Sequence, residues 1–356
     1  MTKEFLTGNE AAIRGARMAG AQMMTGYPIT PTTEMIEHWA SEAAKNPQLK
    51  FLQTEDEMAA GFAMIGAVLA GLKCFTATAG PGNVLMQDAF SMAENMRLPT
   101  VAFINQRGGP STGTVIYSQQ ELNLTCFGGN GEGLRIIYSC SNVQEMYTYA
   151  LKSFNTAWRY RFPTFVLSDG YLAKTLTEIE IFSPAERQME VIQPSPYFLK
   201  KDKPPEAYEH LRNTYNLETE LHEVLLSHSQ ALTGAAPEII EYEDLHTLDA
   251  EIVILAHGIV AASAKQAVEI LRNENKKIGL FRPITLNPFP KDNCLATVQN
   301  KKMILVVESS LGQFERLVKN YLYGSSVPIQ TLKKPAMGIT PDEIAEKVNT
   351  ILKELK

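Results

Sequence analysis

Short apolar runs alternate with longer segments of helical periodicity through residues 1–182 of the chain. Residues 23–27, 74–78 and 100–105 are apolar runs of strand length, and helix-like segments lie between them. Asn9 is predicted to cap the first of these helices. Strands that alternate with helices form βαβ units, so the pattern predicts an α/β domain built on a parallel sheet.

A polar segment at residues 183–247 interrupts this alternation with clustered prolines and charges, including the run Lys200-Lys201-Asp202-Lys203-Pro204-Pro205. The alternation resumes at residues 252–256 and ends in a helix that begins at Thr340-Pro341-Asp342-Glu343. That tetrapeptide is a capping box with proline at the first helical position. We therefore expect a linker with surface helices at 183–247 and a second, smaller α/β domain at 248–356.

The composition is that of an ordinary folded protein. Of the 356 residues, 45% are hydrophobic and 20% charged, and the net charge is -6. This balance argues against intrinsic disorder, and the lack of a long basic run argues against nucleic acid or an anionic membrane as a partner. No apolar stretch reaches the ~20 residues that a bilayer requires, and no apolar core of a signal peptide is present at the N-terminus.

The cysteines give no sign of a metal centre. Cys74, Cys126, Cys140 and Cys294 form no CxxC pair, so neither a disulfide framework nor a cluster held by this chain alone is expected. The spacing of the histidines matches no common metal site either. We expect a protein of the reducing cytoplasm that binds no metal through its own residues.

Glu57 opens a predicted helix in which small residues recur at helical spacing. They are Ala59, Ala63, Ala67 and Ala70. One interpretation is a closely packed helix pair in which the Glu57 carboxylate only meets the positive end of the helix dipole. The other is functional. A glutamate at a helix start, nine residues before Gly66 and followed by a strand and a Gly-Pro-Gly turn, resembles the pyrimidine-binding domain of thiamine diphosphate enzymes.

This resemblance implies that Glu57 hydrogen-bonds the pyrimidine ring and stabilises its imino tautomer, so that the cofactor's own nitrogen removes the thiazolium proton. Glu55 is a rival for this role, although the spacing to Gly66 fits Glu57. Because small side chains permit close approach, the helix segment 59–70 is the expected face for a partner subunit.

Two further motifs indicate one particular family among the thiamine diphosphate enzymes. Gly26-Tyr27-Pro28-Ile29-Thr30-Pro31 is similar to a signature of the 2-oxoacid:ferredoxin oxidoreductases, and Gln106-Arg107-Gly108-Gly109-Pro110-Ser111-Thr112-Gly113 is similar to a loop of their α subunits. Segments 282–290 and 307–313 resemble the transketolase C-terminal-like domain of that family. The resemblance implies a doubly wound parallel sheet of the pyrimidine-binding type, followed by that smaller α/β domain.

The family resemblance also assigns roles to residues. It implies that Arg107 and Thr30 hold the substrate with the backbone of Gly108 and Gly109, and that they are catalytic together with Glu57. An arginine fork suits a carboxylate, and Arg107 ends a predicted strand where open α/β sheets bind ligands. The plainer alternatives are a surface salt bridge for Arg107, a capping hydroxyl for Thr30 and backbone freedom for the glycines. The residues expected against the cofactor are Glu57, Tyr27, Pro28 and Ile29.

One part of a thiamine site is missing from the sequence. In this superfamily a GDG motif followed by a distant Asn binds the diphosphate through Mg²⁺, and here only Ser168-Asp169-Gly170 comes near. We therefore expect a β subunit to bring the diphosphate end of thiamine diphosphate, Mg²⁺ and an iron–sulfur cluster of the 4Fe-4S type. Additional γ and δ subunits are left open. Ferredoxin is the expected electron acceptor and coenzyme A the expected co-substrate.

The resulting interpretation is the α subunit of a 2-oxoacid:ferredoxin oxidoreductase, which converts a 2-oxoacid to an acyl-CoA and CO₂. The 106–113 loop resembles most closely that of the 2-oxoglutarate enzymes, and this resemblance makes 2-oxoglutarate the first expected substrate. Residues 114–121 carry no Lys or Arg for a distal carboxylate, which suits pyruvate or a branched-chain 2-oxoacid equally well. Two alternatives stay open: a subunit of a non-redox thiamine diphosphate decarboxylase, and a non-catalytic scaffold that retains the fold.

Overall fold

Helices and strands alternate through the described part of the chain, which is residues 2–194 and 211–355 of this computed structural model. The run of lysines and prolines predicted in the linker lies outside the described residues. The elements of the first region are β1 (Thr2–Thr7), α1 (Gly8–Met18), β2 (Met23–Gly26), α2 (Thr33–Lys45), β3 (Lys50–Gln53), α3 (Glu57–Leu69), β4 (Cys74–Thr78), α4 (Pro81–Leu85), α5 (Gln87–Asn95), β5 (Val101–Gln106), α6 (Leu122–Phe127), β6 (Ile136–Ser139), α7 (Val143–Tyr160), β7 (Thr164–Asp169), α8 (Gly170–Lys174), β8 (Leu176–Ile181) and a 3₁₀ turn at Pro184–Arg187.

The second region begins with a long helix of the predicted linker and continues as an α/β domain. Its elements are α9 (Glu218–Ile239), β9 (Tyr242–Leu245), β10 (Ile252–Leu255), α10 (Gly258–Asn273), β11 (Ile278–Pro283), β12 (Thr285–Asn287), α11 (Lys291–Val298), β13 (Met303–Glu308), α12 (Gln313–Tyr321), β14 (Ile329–Lys333) and α13 (Pro341–Glu354). None of the helices in the described ranges is long and apolar enough to cross a membrane.

The first domain is built on a seven-stranded sheet in the order β12-β6-β7-β5-β4-β2-β3. All of its strands run parallel except β12, which confirms the predicted parallel sheet. Strand β12 comes from the second region of the chain, and its Thr285 pairs with Tyr138 of β6. The two domains therefore share a sheet, which the sequence pattern does not predict. Strands β1 and β8 form a separate antiparallel pair.

The second domain has a five-stranded sheet in the order β14-β13-β10-β11-β9. Its edge strand β9 is antiparallel to β11, with Leu280 opposite Leu245. The sheet thus begins before the predicted domain start at residue 248. Residues Tyr242–Leu245 alternate between exposed and half-buried positions, as is typical of an edge strand, and their polar sequence resembles a linker.

The first helix begins earlier than predicted. Thr7 is its N-cap residue, and its side chain forms a reciprocal capping box with Glu10. Asn9 is instead buried inside the first turn, where its Nδ2 donates a hydrogen bond of 2.9 Å to the carbonyl of Pro31. The predicted cap at Asn9 is therefore wrong, because this side chain serves a tertiary contact. Helix α13 does begin at the predicted capping box, with Thr340 as its N-cap.

Polar side chains join the two domains across a buried interface. Arg282 of β11 donates hydrogen bonds of 2.8 and 2.5 Å to the Glu145 carboxylate of α7. Gln119 donates to the carbonyl of His257 at 2.9 Å and accepts from the backbone N–H of Ser309 at 3.0 Å. The loop that follows β5 is therefore held between the domains, which fixes one wall of the candidate site described next.

Candidate active site

The predicted site residues lie at the carboxyl end of the first sheet, where the strand order reverses. The chain passes from β2 to β3 on one side and from β4 to β5 on the other, so a crevice opens between the ends of β2 and β4. Open α/β sheets bind ligands at such a switch point. Thr30 lies in the loop after β2, the turn 80–82 follows β4, and Arg107 follows β5.

Glu57 is buried at the start of α3, directly after the N-cap residue Asp56. Asp56 accepts the capping hydrogen bond from the Ala59 N–H at 2.7 Å. That carboxylate packs against Gly82, since a Cβ placed there would lie 2.6 Å from Glu57 Oε1 and 2.1 Å from Thr78 Oγ1. Glycine at position 82 is therefore required for the carboxylate to keep its place.

The surroundings of Glu57 shift its pKa upward. Burial raises the pKa of Glu57 and the Asp56 charge adds to this rise, whereas a hydrogen bond from its own backbone N–H and the Arg107 charge oppose it. The neighbouring Thr78 hydroxyl is also buried, and it has no hydrogen-bond partner among the described residues. The rival Glu55 is exposed. A buried carboxyl group with a raised pKa beside a crevice is suited to hold a proton against a ligand.

Arg107 lies across the end of β4. Its Nη1 donates a hydrogen bond of 2.8 Å to the carbonyl of Thr30, while its buried Nε has no partner in the described part of the chain. A Cβ on Gly80, whose φ is +52°, would lie 2.6 Å from Arg107 Nε. Glycine at this turn therefore lets the guanidinium cross it. The guanidinium is buried rather than engaged in a surface salt bridge, and it keeps donors for an anion.

The loop after β2 carries the other predicted ligand-binding residues. Two of them are exposed, Tyr27 and Thr30, and two are half-buried, Pro28 and Ile29. Helix α2 has Thr32 at its N-cap position, so Thr30 does not cap it. The Thr30 hydroxyl makes no hydrogen bond to any described residue and is open to a ligand, whereas its carbonyl is held by Arg107.

The glycine-rich loop after β5 folds back on itself. The Gly108 carbonyl accepts a hydrogen bond of 2.8 Å from the Thr114 N–H, and the Gly109 N–H donates to Gln120 Oε1 at 3.1 Å. A Cβ on Gly108 would lie 2.4 Å from the Thr114 side chain and 3.1 Å from Ala336 of the second domain. Packing alone thus requires glycine at 108. At 109 a Cβ would meet nothing closer than 3.7 Å.

One functional candidate, Glu121, has no signal in the sequence. It is buried, and its Oε1 accepts hydrogen bonds from the N–H groups of Gly80 at 2.8 Å and Arg107 at 2.9 Å. Its Oε2 accepts from Asn83 Nδ2 at 3.0 Å. Burial raises the pKa of Glu121, and these hydrogen bonds and the Arg107 charge oppose the rise. An acid in a polar loop before a short helix is common, so no local pattern distinguishes it.

Asp169, the acid of the Ser168-Asp169-Gly170 sequence, is occupied within the chain. Its Oδ1 accepts hydrogen bonds of 3.0 Å from the N–H groups of Tyr171 and Leu172, so it caps α8. Burial raises the pKa of Asp169 to about 7, against the effect of these two bonds. Across residues 2–194 and 211–355, no group of three or more His, Cys, Asp or Glu could hold a metal ion.

The four cysteines are buried and free, and burial raises the pKa of each thiol. Buried thiols of this kind are inert rather than reactive. They therefore add no redox chemistry to the site.

A separate cavity of about 510 Å³ lies between α5 and α9. Asp88, Glu94 and His228 are among its lining residues, and none of the predicted site residues is. Glu57 and Arg107 instead lie on either side of the turn 80–82, and Arg107 is hydrogen-bonded to the carbonyl of Thr30. The residues there are a buried carboxyl group with a raised pKa, the glycine at position 82 and the Thr78 hydroxyl, which has no partner among the described residues. These groups are compatible with the polar edge of a pyrimidine ring.

Comparisons with known sequences identify the family. The family model described as pyruvate flavodoxin/ferredoxin oxidoreductase, thiamine diphosphate-binding, matches residues 14–236, and that of pyruvate:ferredoxin oxidoreductase core domain II matches residues 250–342. The 2-oxoglutarate synthase subunit KorA of Methanocaldococcus jannaschii is 36% identical over 335 residues, which cover 88% of this chain and 90% of that protein. The ketoisovalerate oxidoreductase subunit VorB of Methanothermobacter marburgensis is 33% identical over 321 residues, which cover 90% of each.

Solved structures show the same likeness. A 2-oxoglutarate:ferredoxin oxidoreductase from Magnetococcus marinus, with 2-oxoglutarate, coenzyme A and succinyl-CoA bound, superimposes with a TM-score of 0.86 at 26% identity. The match covers 98% of this chain but only 65% of that chain's length. A split-gene transketolase matches with a TM-score of 0.63 at 13% identity, which is a likeness of fold alone.

Proposed function

The chain belongs to the pyruvate flavodoxin/ferredoxin oxidoreductase family, and from this membership we propose that it is an α subunit in which Glu57 and Arg107 form one half of a catalytic site. It is a subunit of a 2-oxoacid:ferredoxin oxidoreductase, and its first domain is of the thiamine diphosphate-binding type. The observation that carries the proposal is the turn 80–82, which packs against the Arg107 side chain at one end and the Glu57 carboxylate at the other.

Each residue of this half-site has a proposed task. Thiamine diphosphate, when bound, supplies the nucleophilic carbon and the electron sink for decarboxylation. Glu57 holds a proton at a pyrimidine nitrogen, a role that its raised pKa supports. Arg107 pairs with the carboxylate of the 2-oxoacid, and the Thr30 hydroxyl hydrogen-bonds the same substrate.

The remaining predicted residues shape the crevice. Tyr27, Pro28 and Ile29 are proposed to contact the cofactor from the loop after β2. Gly108 and Gly109 are proposed to let the substrate approach the backbone closely.

We propose 2-oxoglutarate as the first substrate to test, because the relatives named above include a 2-oxoglutarate synthase subunit. A branched-chain 2-oxoacid is the second candidate. Its support is the ketoisovalerate oxidoreductase relative and the exposed apolar side chains of Val115 and Ile116 beside the glycine-rich loop. Pyruvate is the third.

A β subunit is proposed to complete the site with the diphosphate-binding end, Mg²⁺ and a cluster of the 4Fe-4S type. The exposed face of α3 supports this docking. Met58 and Phe62 are exposed there, as are Val84 and Leu85 of the adjacent α4. Gly66 has no atom within 4 Å of its Cβ direction, so the helix is open to close approach.

The wider assembly stays a proposal as well. Coenzyme A is the proposed co-substrate and ferredoxin the proposed acceptor, and γ and δ subunits remain options. The cytoplasm is the proposed location, which the four free cysteines support.

Purification of the native complex provides the test. We expect it to reduce a viologen dye when supplied with coenzyme A and one of these 2-oxoacids, with release of CO₂. Release of CO₂ without dye reduction would instead identify a non-redox thiamine diphosphate decarboxylase. No turnover of any 2-oxoacid would favour a non-catalytic scaffold.

A further inference from the structure

Glu121 joins the chain segment that bears Arg107 to the turn against which the Glu57 carboxylate packs. One oxygen of its carboxylate accepts from the N–H of Gly80, after β4, and from the N–H of Arg107, after β5. The other oxygen accepts from the side chain of Asn83 in α4. The buried Glu121 carboxylate thus fixes the turn 80–82 from both sides, through Gly80 at its start and Asn83 directly after it.

This turn separates Arg107 from Glu57. The Arg107 side chain packs on Gly80, and the Glu57 carboxylate packs on Gly82. A shift of the turn therefore moves both groups relative to each other. We propose that Glu121 is a positioning residue that sets the distance between the proposed substrate-binding arginine and the proposed proton-holding glutamate. This inference rests on the proposed function of Arg107 and Glu57.

The hydrogen-bond network makes the Glu121 carboxylate hard to replace. In Glu121→Gln, a side-chain NH₂ would face either the N–H groups of Gly80 and Arg107 or the NH₂ group of Asn83. Asn83 cannot turn its amide to compensate without loss, because its Oδ1 accepts a hydrogen bond of 2.9 Å from Gln87 Nε2. The glutamine variant therefore places donor against donor within the network.

Glu10 of α1 provides a control. Its carboxylate is half-buried and, like that of Glu121, accepts a hydrogen bond from a backbone N–H, that of Thr7 at 2.8 Å. Its other partners are the Thr7 hydroxyl and His38, which lie outside the Glu121 network. Glu10→Gln thus removes a carboxylate that accepts a backbone hydrogen bond without touching the network of Gly80, Asn83 and Arg107.

The test uses the co-expressed complex, with KM and kcat measured for a 2-oxoacid and thermal unfolding monitored in parallel. We expect Glu121→Gln to lower kcat/KM by ~10–100-fold, since small misplacement of reacting groups has effects of this order. Glu121→Asp keeps the charge but shortens the side chain, and we expect a loss in the same direction. Glu10→Gln should leave KM and kcat within about 2-fold of the wild type even where it lowers the unfolding temperature.

A double-mutant cycle separates positioning from general destabilisation. If Glu121 acts through Arg107, the Arg107→Lys/Glu121→Gln double variant should be no worse than about 3-fold below Arg107→Lys alone. The inference would be overturned if the losses of the two single variants multiplied in the double variant, or if Glu121→Gln had normal kinetics. An equal loss in Glu10→Gln would overturn it as well. If Glu121→Gln lowers kcat/KM while Arg107→Lys does not, the inference is overturned, and the proposed role of Arg107 is removed as well. A loss in Arg107→Lys with a normal Glu121→Gln would overturn the inference and leave the proposed function intact.

Discussion

The Arg107 guanidinium donates a hydrogen bond of 2.8 Å to the carbonyl of Thr30, and this bond joins the end of β5 to the loop after β2. Strand β4 lies between these two strands in the sheet. The Arg107 side chain therefore spans the mouth of the crevice, so a change at this residue alters the whole switch point.

Glu57→Gln should leave the fold nearly intact, because Asp56 rather than Glu57 caps α3. Turnover of the complex should fall by roughly 10²–10⁴-fold, the usual effect of losing a general acid or base. Steady-state kinetics and proton exchange at the thiazolium carbon measure this. The exposed Glu55 is the control, and Glu55→Gln should behave as the wild type. Normal turnover in Glu57→Gln combined with a loss in Glu55→Gln would move the role to Glu55.

Arg107→Lys keeps the charge but loses the planar fork, so it should weaken binding of the carboxylate shared by all 2-oxoacids. We expect kcat/KM to fall by about 10-fold or more, which corresponds to about 1.4 kcal/mol of transition-state stabilisation. The loss should be similar for 2-oxoglutarate, pyruvate and a branched-chain 2-oxoacid. A loss seen only with 2-oxoglutarate would show that Arg107 binds the distal carboxylate instead.

The sequence predicts those elements whose formation depends on residues close together in the chain. Strands such as Cys74–Thr78 are apolar runs of strand length, and α13 carries its capping box, so both were predictable. Strand β12 has three residues and exists because β6 offers an edge to pair with. Its partner is remote in the sequence, so no local pattern reveals it.

The same division applies to the candidate site. Glu57, Arg107 and Thr30 stand in motifs, and the structure places them around one crevice. Their catalytic roles stay predictions. Glu121 and Asn83 become candidates only through tertiary contacts. The buried Glu121 carboxylate accepts hydrogen bonds from groups in separate segments of the chain. Sequence periodicity cannot show such a network.

The isolated chain should be colourless and inactive. Its residues are proposed to bind only the pyrimidine and a carboxylate, and the described residues contain no group of three or more His, Cys, Asp or Glu that could hold a metal ion. Thiamine diphosphate should therefore bind it weakly in calorimetry, and co-expression with the β subunit should give a brown complex with broad absorbance. Oxidation of a 2-oxoacid by the lone chain with a dye acceptor would show that the site is not divided between subunits.

Acid should destabilise the chain partly through His257, which is buried at the domain interface with its Nδ1 3.0 Å from Ser139 Oγ. Burial lowers the pKa of His257 to about 3, and the Arg282 charge contributes. Between an unfolded-state pKa of about 6.5 and this value, the unfolded chain binds more protons than the folded one. The free energy of unfolding therefore falls as pH falls through this window, by up to ~1.4 kcal/mol per pH unit.

Urea titrations of the purified chain at about pH 7 and about pH 5 measure this dependence. His257→Gln should show a smaller loss of unfolding free energy between the two than the wild type. His222 is exposed on α9, so His222→Gln is the control and should keep the wild-type dependence. Equal pH dependence in all three proteins would rule out His257 as the source.

Strand β12 belongs to the second region of the chain but pairs in the first sheet, and this arrangement affects folding during synthesis. During synthesis, β6 leaves the ribosome long before β12 exists, so its outer edge stays open while the first domain folds. Open edges attract other strands, including those of neighbouring nascent chains. The first domain thus completes its sheet only after Thr285–Asn287 has emerged, and a fragment that stops at residue 247 would retain an open edge at β6.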